Sequence, residues 1–179
     1  MFARTPRLFL RPGWPEDAAA VAAAINHQAV AHRLENVPFP YHANDAVEWL
    51  ARPHDPCAAS MLVVSHEGEQ PAIIGVVSLI PRDGELMLGY WYTPPAWGRG
   101  YATEAGRAAV DIARHSLGAR RLGSRYHADN PASANVLRKL GFRETGMRRP
   151  VLSRARGYAV EAVVMELDLT SETTWRRAA

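Results

Sequence analysis

Apolar positions in this chain of 179 residues alternate between strand-like runs and helix-spaced stripes. Residues 7–11 (RLFLR) read as a short first strand, and Pro12-Gly13 breaks it. Pro15-Glu16-Asp17 suits a helix start, because proline fits the first turn and acids complement the dipole there. That helix continues through Ile25, and residues 26–34 either extend it or form a second one. Two prolines make residues 37–41 (VPFPY) a loop, after which Asn44 or Asp45 caps a short helix reaching Leu50. Strands are predicted at residues 60–65 and 72–80, and Arg82-Asp83-Gly84 turns the chain into a third over 85–92.

The stretch that follows organises the rest. Thr93-Pro94-Pro95 stops the strand, since proline supplies no ladder N–H and pushes its predecessor out of helical geometry. After Trp97-Gly98-Arg99-Gly100 a long helix begins at Tyr101. Tyr101, Ala105, Ala108, Ile112 and Leu117 share one face, Arg107 and Asp111 lie on the other, and Gly118 is the stop. Then come a strand over 121–127, a helix over 130–140 closed by Gly141, and strands over 142–147 and 158–169. The loop between the last two holds Pro150 and Gly157. The pattern predicts one α/β domain (mixed α+β) over residues 1–170, with about seven strands and a flexible tail over 171–179.

Composition changes this picture little. No apolar run approaches the ~20 residues needed to span a bilayer, and the N-terminus lacks a long apolar core, so a cytoplasmic protein is expected. A single cysteine, Cys57, excludes an internal disulfide and reads as a small apolar filler. The net charge of +3 is mild, and Lys139 is the one lysine among many arginines. Arginines are not interleaved with aromatics here, so nucleic acid is not an expected partner, and no metal site is expected.

A strand, a glycine-containing turn and a helix N-terminus together make an anion site, because the first N–H groups of the helix lack intrahelical partners. No third glycine follows as in a dinucleotide fingerprint, and no Gly-Lys-Ser/Thr ends the loop as in a Walker motif. The run GYWYTPPAWGRGYATEA resembles the acetyl-CoA-binding segment of the GNAT superfamily of N-acetyltransferases, in its RimJ/RimL-like form (ribosomal-protein N-terminal acetyltransferases). The superfamily pattern Q/R-x-x-G-x-G/A falls on Trp97 to Ala102, with tryptophan in the polar position. A second run, Asn130 to Phe142, resembles the family's NxxSxxVLxKLGF segment, where the asparagine contacts the pantetheine arm and the serine lies near the thioester sulfur.

The resemblance implies a mostly antiparallel sheet that splays beside the acetyl-CoA loop, and direct attack of an amine on the thioester in a ternary complex. Backbone groups of Tyr90 and Tyr92 would pair with pantetheine, and N–H groups from Gly98, Arg99, Gly100, Tyr101, Ala102 and Thr103 would hold the pyrophosphate. Trp97, Asn130, Ser133, Arg99 and Arg138 complete the expected cofactor contacts. Ser133 is the expected hydrogen-bond partner of the departing thiolate, and an N–H from the 88–92 segment the oxyanion donor. Many relatives carry an acid two residues before the glycine of GYW, where this chain has Met87. Glu85, on the same strand face, is the nearest replacement base, and Glu161 a second one. Phe39, Tyr41 and Met87 are expected at the acceptor, with Arg148, Arg149, Arg154 and Arg156 attracting an acidic peptide or a carboxylate-bearing amine. The expected acceptor is a protein or peptide N-terminal α-amine. A small amine, or a weakly catalytic acetyl-CoA sensor, is the alternative, and the assembly a monomer or homodimer.

Overall fold

A computed structural model describes residues 1–53, 57–82 and 84–170; the expected tail over 171–179, and Asp83 of the hairpin turn, lie outside these. The strands are β1 (Ala3–Arg4), β2 (Leu8–Arg11), β3 (Ala59–Ser65), β4 (Ala72–Arg82), β5 (Glu85–Tyr92), β6 (Arg121–His127), β7 (Arg143–Ser153) and β8 (Tyr158–Asp168). The helices are α1 (Ala18–Ile25), α2 (Gln28–Ala31), α3 (Ala43–Leu50), α4 (Tyr101–His115) and α5 (Pro131–Lys139). One open sheet runs in the order β1-β2-β3-β4-β5-β6-β8-β7. Every neighbouring pair is antiparallel except β5 and β6.

The sheet buries a core on each side. Leu88 and Tyr92 of β5 and Leu122 of β6 pack with Tyr101, Ala105 and Val110 of α4 and Leu137 of α5. On the other side Leu62, Val64, Val76 and Trp91 meet Val21 and Ile25 of α1, Val30 of α2 and Ala46 of α3. Alternate side chains of one strand thus feed two different cores. Anything placed between β5 and β6 can therefore be reached from both faces.

Several sequence expectations need correction. The sheet has eight strands, because Ala3 and Arg4 pair with Leu10 and Phe9, a ladder too short to show periodicity. Of the two arrangements expected for 26–34 the separate second helix is the one present, with the Asn26 side chain accepting from the Tyr41 N–H at 2.9 Å. His42, not Asn44 or Asp45, caps α3, with the Asp45 carboxylate accepting the His42 N–H at 2.8 Å. Strand β7 continues to Ser153 and contains Pro150, expected in a loop. Proline is tolerated there because β7 is an edge strand, with no neighbour to miss its N–H. Arg148 and Arg149 are therefore strand residues, opposite Val163 and Ala162.

Candidate active site

The parallel strands β5 and β6 are in register at Met87 and Gly123. Ser124 Oγ reaches across to the Leu88 carbonyl at 2.9 Å, a buried bond that closes the seam. Beyond it the strands part. Thr93 N–H goes to the Ile74 carbonyl (2.9 Å), and Ser78 Oγ donates to the Gly89 carbonyl (3.4 Å), so the odd-numbered residues of β5 address β4. Ladder alternation then turns the N–H and C=O groups of Leu88, Tyr90 and Tyr92 toward the opening. Of these, Leu88 is spent on β6, its carbonyl on Ser124 and its N–H on the parallel pairing at Gly123, and the Tyr92 carbonyl is taken by the Trp97 indole N–H at 2.7 Å.

At the far end of β5 the two prolines form a 3-10 turn, Pro94–Ala96, and the chain then passes Gly98 (φ +74°) and Gly100 (φ +81°) into α4. Left-handed glycines alternating with an ordinary residue make successive N–H groups converge into an anion-binding hollow. Among the described residues, the N–H groups of Gly98, Arg99, Gly100, Tyr101 and Ala102 have no partner. Thr103, expected in the same cradle, turns its N–H back to the Gly100 carbonyl at 3.1 Å. Trp97 does not take the polar role its position implied: its N–H straps the loop to β5, and the Arg33 guanidinium lies 4.6 Å from its ring centroid.

The loop is held from beneath. Tyr101, 1% exposed, donates its hydroxyl to Glu67. Arg99 lies 4.9 Å over the Tyr101 ring and 3.5 Å from the Glu67 carboxylate. Arg7 donates to the Arg99 carbonyl at 2.9 Å and pairs with Glu104 at 2.7 Å. Glu104 also accepts from Thr5 Oγ1 at 2.6 Å and the Arg7 N–H at 2.9 Å. Burial works against that carboxylate, yet these bonds outweigh it and hold its pKa below the ordinary 4.5.

On the α4–α5 side, Asn130 caps α5 by accepting the Ser133 N–H at 3.3 Å. Ser133 Oγ lies 2.8 Å from the Tyr90 hydroxyl, which also reaches the Ser133 carbonyl at 3.2 Å. Burial pushes the Tyr90 phenol up to about 12, the serine bond working in the opposite sense, so it stays protonated. Structure thus brings Tyr90 and Ser133 together at the opening. It does not bring Arg138 to the phosphate loop: that guanidinium is 2.7 Å from Glu144, itself 3.2 Å from the Tyr126 hydroxyl.

On the opposite face Glu85 pairs with Arg121 at 3.2 Å, half exposed, and Met87 lies so close to Gly123 that a Cβ there would sit 2.4 Å from Sδ. Tyr41, expected at the acceptor, is 7% exposed and belongs to the core beneath α1 and α3; Phe39 is exposed. Glu161 is tied to Arg148. Sequence reasoning missed what lies between. Residues 27–36 cross the mouth of the opening: His27 contacts Thr93 (3.4 Å) after β5, and Arg33 stacks on Trp97. At the other end, the Glu35 carboxylate takes Arg125 of β6 in a two-pronged bond and Arg82 of β4 at 3.0 Å. Ser153 Oγ, the Arg154 N–H and Arg156 Nε fix the carbonyls of Leu34, Glu35 and His32. Glu35, Arg82, Arg125 and Arg149 border a cavity of about 380 Å³. A larger hollow, about 720 Å³ between α1 and the β2–β4 end of the sheet, reaches the site only at Thr93. No helix among the described residues is long and apolar enough to cross a membrane.

A family model described as an acetyltransferase (GNAT) domain matches residues 7–143. The uncharacterized N-acetyltransferase YoaA of Bacillus subtilis is 28% identical over 149 residues, covering 81% of this chain and 84% of its own length. In fold the chain is similar to a GNAT-family acetyltransferase from Bacillus anthracis, with a TM-score of 0.81, 18% identity and coverage of 96% and 100% of the two chains. It is also similar to the ribosomal-protein-S5-alanine acetyltransferase of Vibrio fischeri, with a TM-score of 0.79, 19% identity and coverage of 99% and 100%.

Proposed function

The chain belongs to the GNAT acetyltransferase family and is by that membership an acetyl-CoA-dependent N-acetyltransferase; we propose that its acceptor is the N-terminal α-amine of a protein or peptide with an acidic residue close behind it. The observation that carries this is the cavity on the α1–α3 face, where Arg82, Arg125 and Arg149 surround the single carboxylate of Glu35. Three positive charges against one favour a carboxylate-bearing acceptor and disfavour a polyamine. The volume of about 380 Å³ also suits a small amino acid, which is the second reading. The likeness to an alanine-specific ribosomal-protein acetyltransferase supports the peptide reading and a place in the RimJ/RimL-like branch. Strands β7 and β8 extend beyond the matched stretch within the same sheet, so we take residues 1–170 as the acetyltransferase unit, in a cytoplasmic enzyme.

The residues fit the thioester carrier. Five unpartnered N–H groups from Gly98 to Ala102 are placed to receive its diphosphate, and the gap beside Tyr90 to receive its pantetheine arm, much as a strand adds to an open edge. Acetyl-CoA supplies the activated acyl group and a thiolate leaving group. The N–H of Tyr90, turned into the gap, would stabilise negative charge on the carbonyl oxygen. The Tyr90 hydroxyl donates to the Ser133 carbonyl, so the Ser133 hydroxyl proton faces Tyr90 in the resting site and would turn to the departing sulfur. Acid–base help of this kind is typically worth ~10²–10⁴-fold, and holding both reactants in line as much or more.

The test is CoA release from acetyl-CoA with tetrapeptide amides carrying glutamate or lysine in second place, against spermidine and free amino acids. The glutamate peptide should be the best acceptor, and Arg149→Glu should abolish that preference. Faster turnover of spermidine than of any peptide would overturn the reading.

A further inference from the structure

The side chain of His127 is 3% exposed, yet its Nε2 has no hydrogen-bond partner among the described residues. Its Nδ1 lies 3.2 Å from the His32 carbonyl. A carbonyl can only accept, so Nδ1 carries the proton and Nε2 is a bare lone pair. Leaving such a buried acceptor unsatisfied is costly, so the position invites a donor.

The placement says which donor. His127 lies four residues beyond Gly123, where β6 is in register with β5, and so beside the opening. It shares the strand face of Gly123 and Arg125, the face that residues 27–36 roof over. Ser133 and Tyr90 are on the opposite face, so the thioester sulfur and His127 would lie on opposite sides of the transferred group.

We propose that His127 Nε2 is the general base that accepts the acceptor amine's proton, an assignment that rests on the acetyl-transfer reading above. The acceptor arrives as an ammonium and leaves as an amide, so its nitrogen sheds two protons. The first goes to Nε2, freeing the lone pair that forms the C–N bond. The second departs as C–N forms and C–S breaks; it ends on the CoA sulfur, which keeps the C–S electron pair. His127 then returns its proton to solvent.

Neighbouring charge suits the task. Burial holds the imidazole below its ordinary pKa of 6.5, the His32 carbonyl opposes, Arg156 adds to the lowering, and Asp129 and Glu35 work against it. The ring is therefore neutral near pH 7 and able to take a proton. Glu85, by contrast, is half exposed and tied to Arg121 at the seam.

The test uses His127→Asn, whose amide can keep the donor to the His32 carbonyl, alongside Glu85→Gln. The probe is the tetrapeptide amide with N-terminal alanine and glutamate second. His127→Asn should lower kcat about 100-fold or more and remove the acid limb of its pH profile, with acetyl-CoA affinity unchanged; Glu85→Gln should leave that limb in place. In wild-type protein, ring-nitrogen NMR should show Nε2 unprotonated and shifted when the peptide is added. Acetylation with the same pH dependence in His127→Asn overturns the proposal. A peptide that shifts Nε2 without being acetylated supports the contact and refutes the transfer reading, whereas one that does neither overturns both.

Discussion

The proposed phosphate cradle depends on two backbone positions that only glycine adopts cheaply, so strain and binding can be separated by substitution. Gly100 has φ +81° at the residue capping α4, and a Cβ there would sit 3.4 Å from Arg7 Nη2, a flexible tip that can yield. Alanine at 100 is therefore opposed mainly by the left-handed backbone, at about 1–2 kcal/mol. Gly98 has φ +74° with nothing within 4 Å of the added carbon, so its cost is of the same size. Gly118, φ +64° and equally open, lies past the other end of α4 and serves as the matched control. All three alanine variants should lose about 2–8 °C in Tm, since each kcal/mol is about 2–4 °C in a chain of this size. Only Gly98→Ala and Gly100→Ala should also weaken acetyl-CoA. Relaxing either residue to negative φ rotates its peptide and removes about two charge-assisted N–H bonds from the diphosphate, each worth about 1.5–3 kcal/mol. Some 3 kcal/mol is about 100-fold in Kd. Calorimetric titration with acetyl-CoA, beside thermal melts of the same samples, reads both quantities. A Kd for Gly100→Ala equal to that of Gly118→Ala, with similar melts, would show that these amides do not hold the diphosphate.

Three further outcomes are expected. Trp97→Phe keeps the ring under Arg33 but loses the 2.7 Å bond to the Tyr92 carbonyl, so it should cost about 1 kcal/mol and weaken acetyl-CoA several-fold by calorimetry; unchanged affinity would detach the strap from the loop. Ser133→Ala should lower kcat by at least about 10-fold with acetyl-CoA affinity changed less, and wild-type turnover would remove the serine from the chemistry. Glu104→Gln should cost about 1–3 kcal/mol at pH 7, discounted because Arg7 is one-third exposed. Because the folded pKa of Glu104 is depressed, its contribution is complete above the unfolded value of 4.5 and fades as pH falls through the folded value. Urea melts of both proteins from pH 7 to pH 3 should therefore converge at the acid end; a constant gap would assign the effect to packing.

Much of the fold was legible because its elements are punctuated locally. β5 and β6 have the bounds the apolar pattern implied, and Asn130-Pro131 and Gly141 bracket α5 as their backbone chemistry requires. The misreadings share one cause, namely information that sits elsewhere in the chain. Pro150 looked like a loop residue because nothing near it in sequence says that β7 is an edge strand. Tyr41 looked like an acceptor contact because its neighbours are prolines, whereas the side chains of α1 and α3 bury it. Two-residue β1 has no period to detect.

The two faces of the site differ in legibility for the same reason. In the proposed site diphosphate and pantetheine would be met mostly by backbone groups, and which N–H is left unpaired follows from prolines, glycines and a helix start within about ten residues. Thr103 is the informative exception there, since its N–H is spent on the first turn of α4. The proposed acceptor face is assembled from side chains of residues 27–36, β4, β6 and the β7–β8 hairpin, each unremarkable alone. Arg125 and His127 are an ordinary arginine and histidine on a strand until the chain from α2 folds across them. The proposed acceptor site therefore rests on tertiary contacts in which sequence-distant residues share one carbonyl or one carboxylate. Substituting the roof over 34–36 should then alter which amine is used while leaving acetyl-CoA binding intact, because no bond from that stretch reaches Trp97 to Ala102 among the described residues.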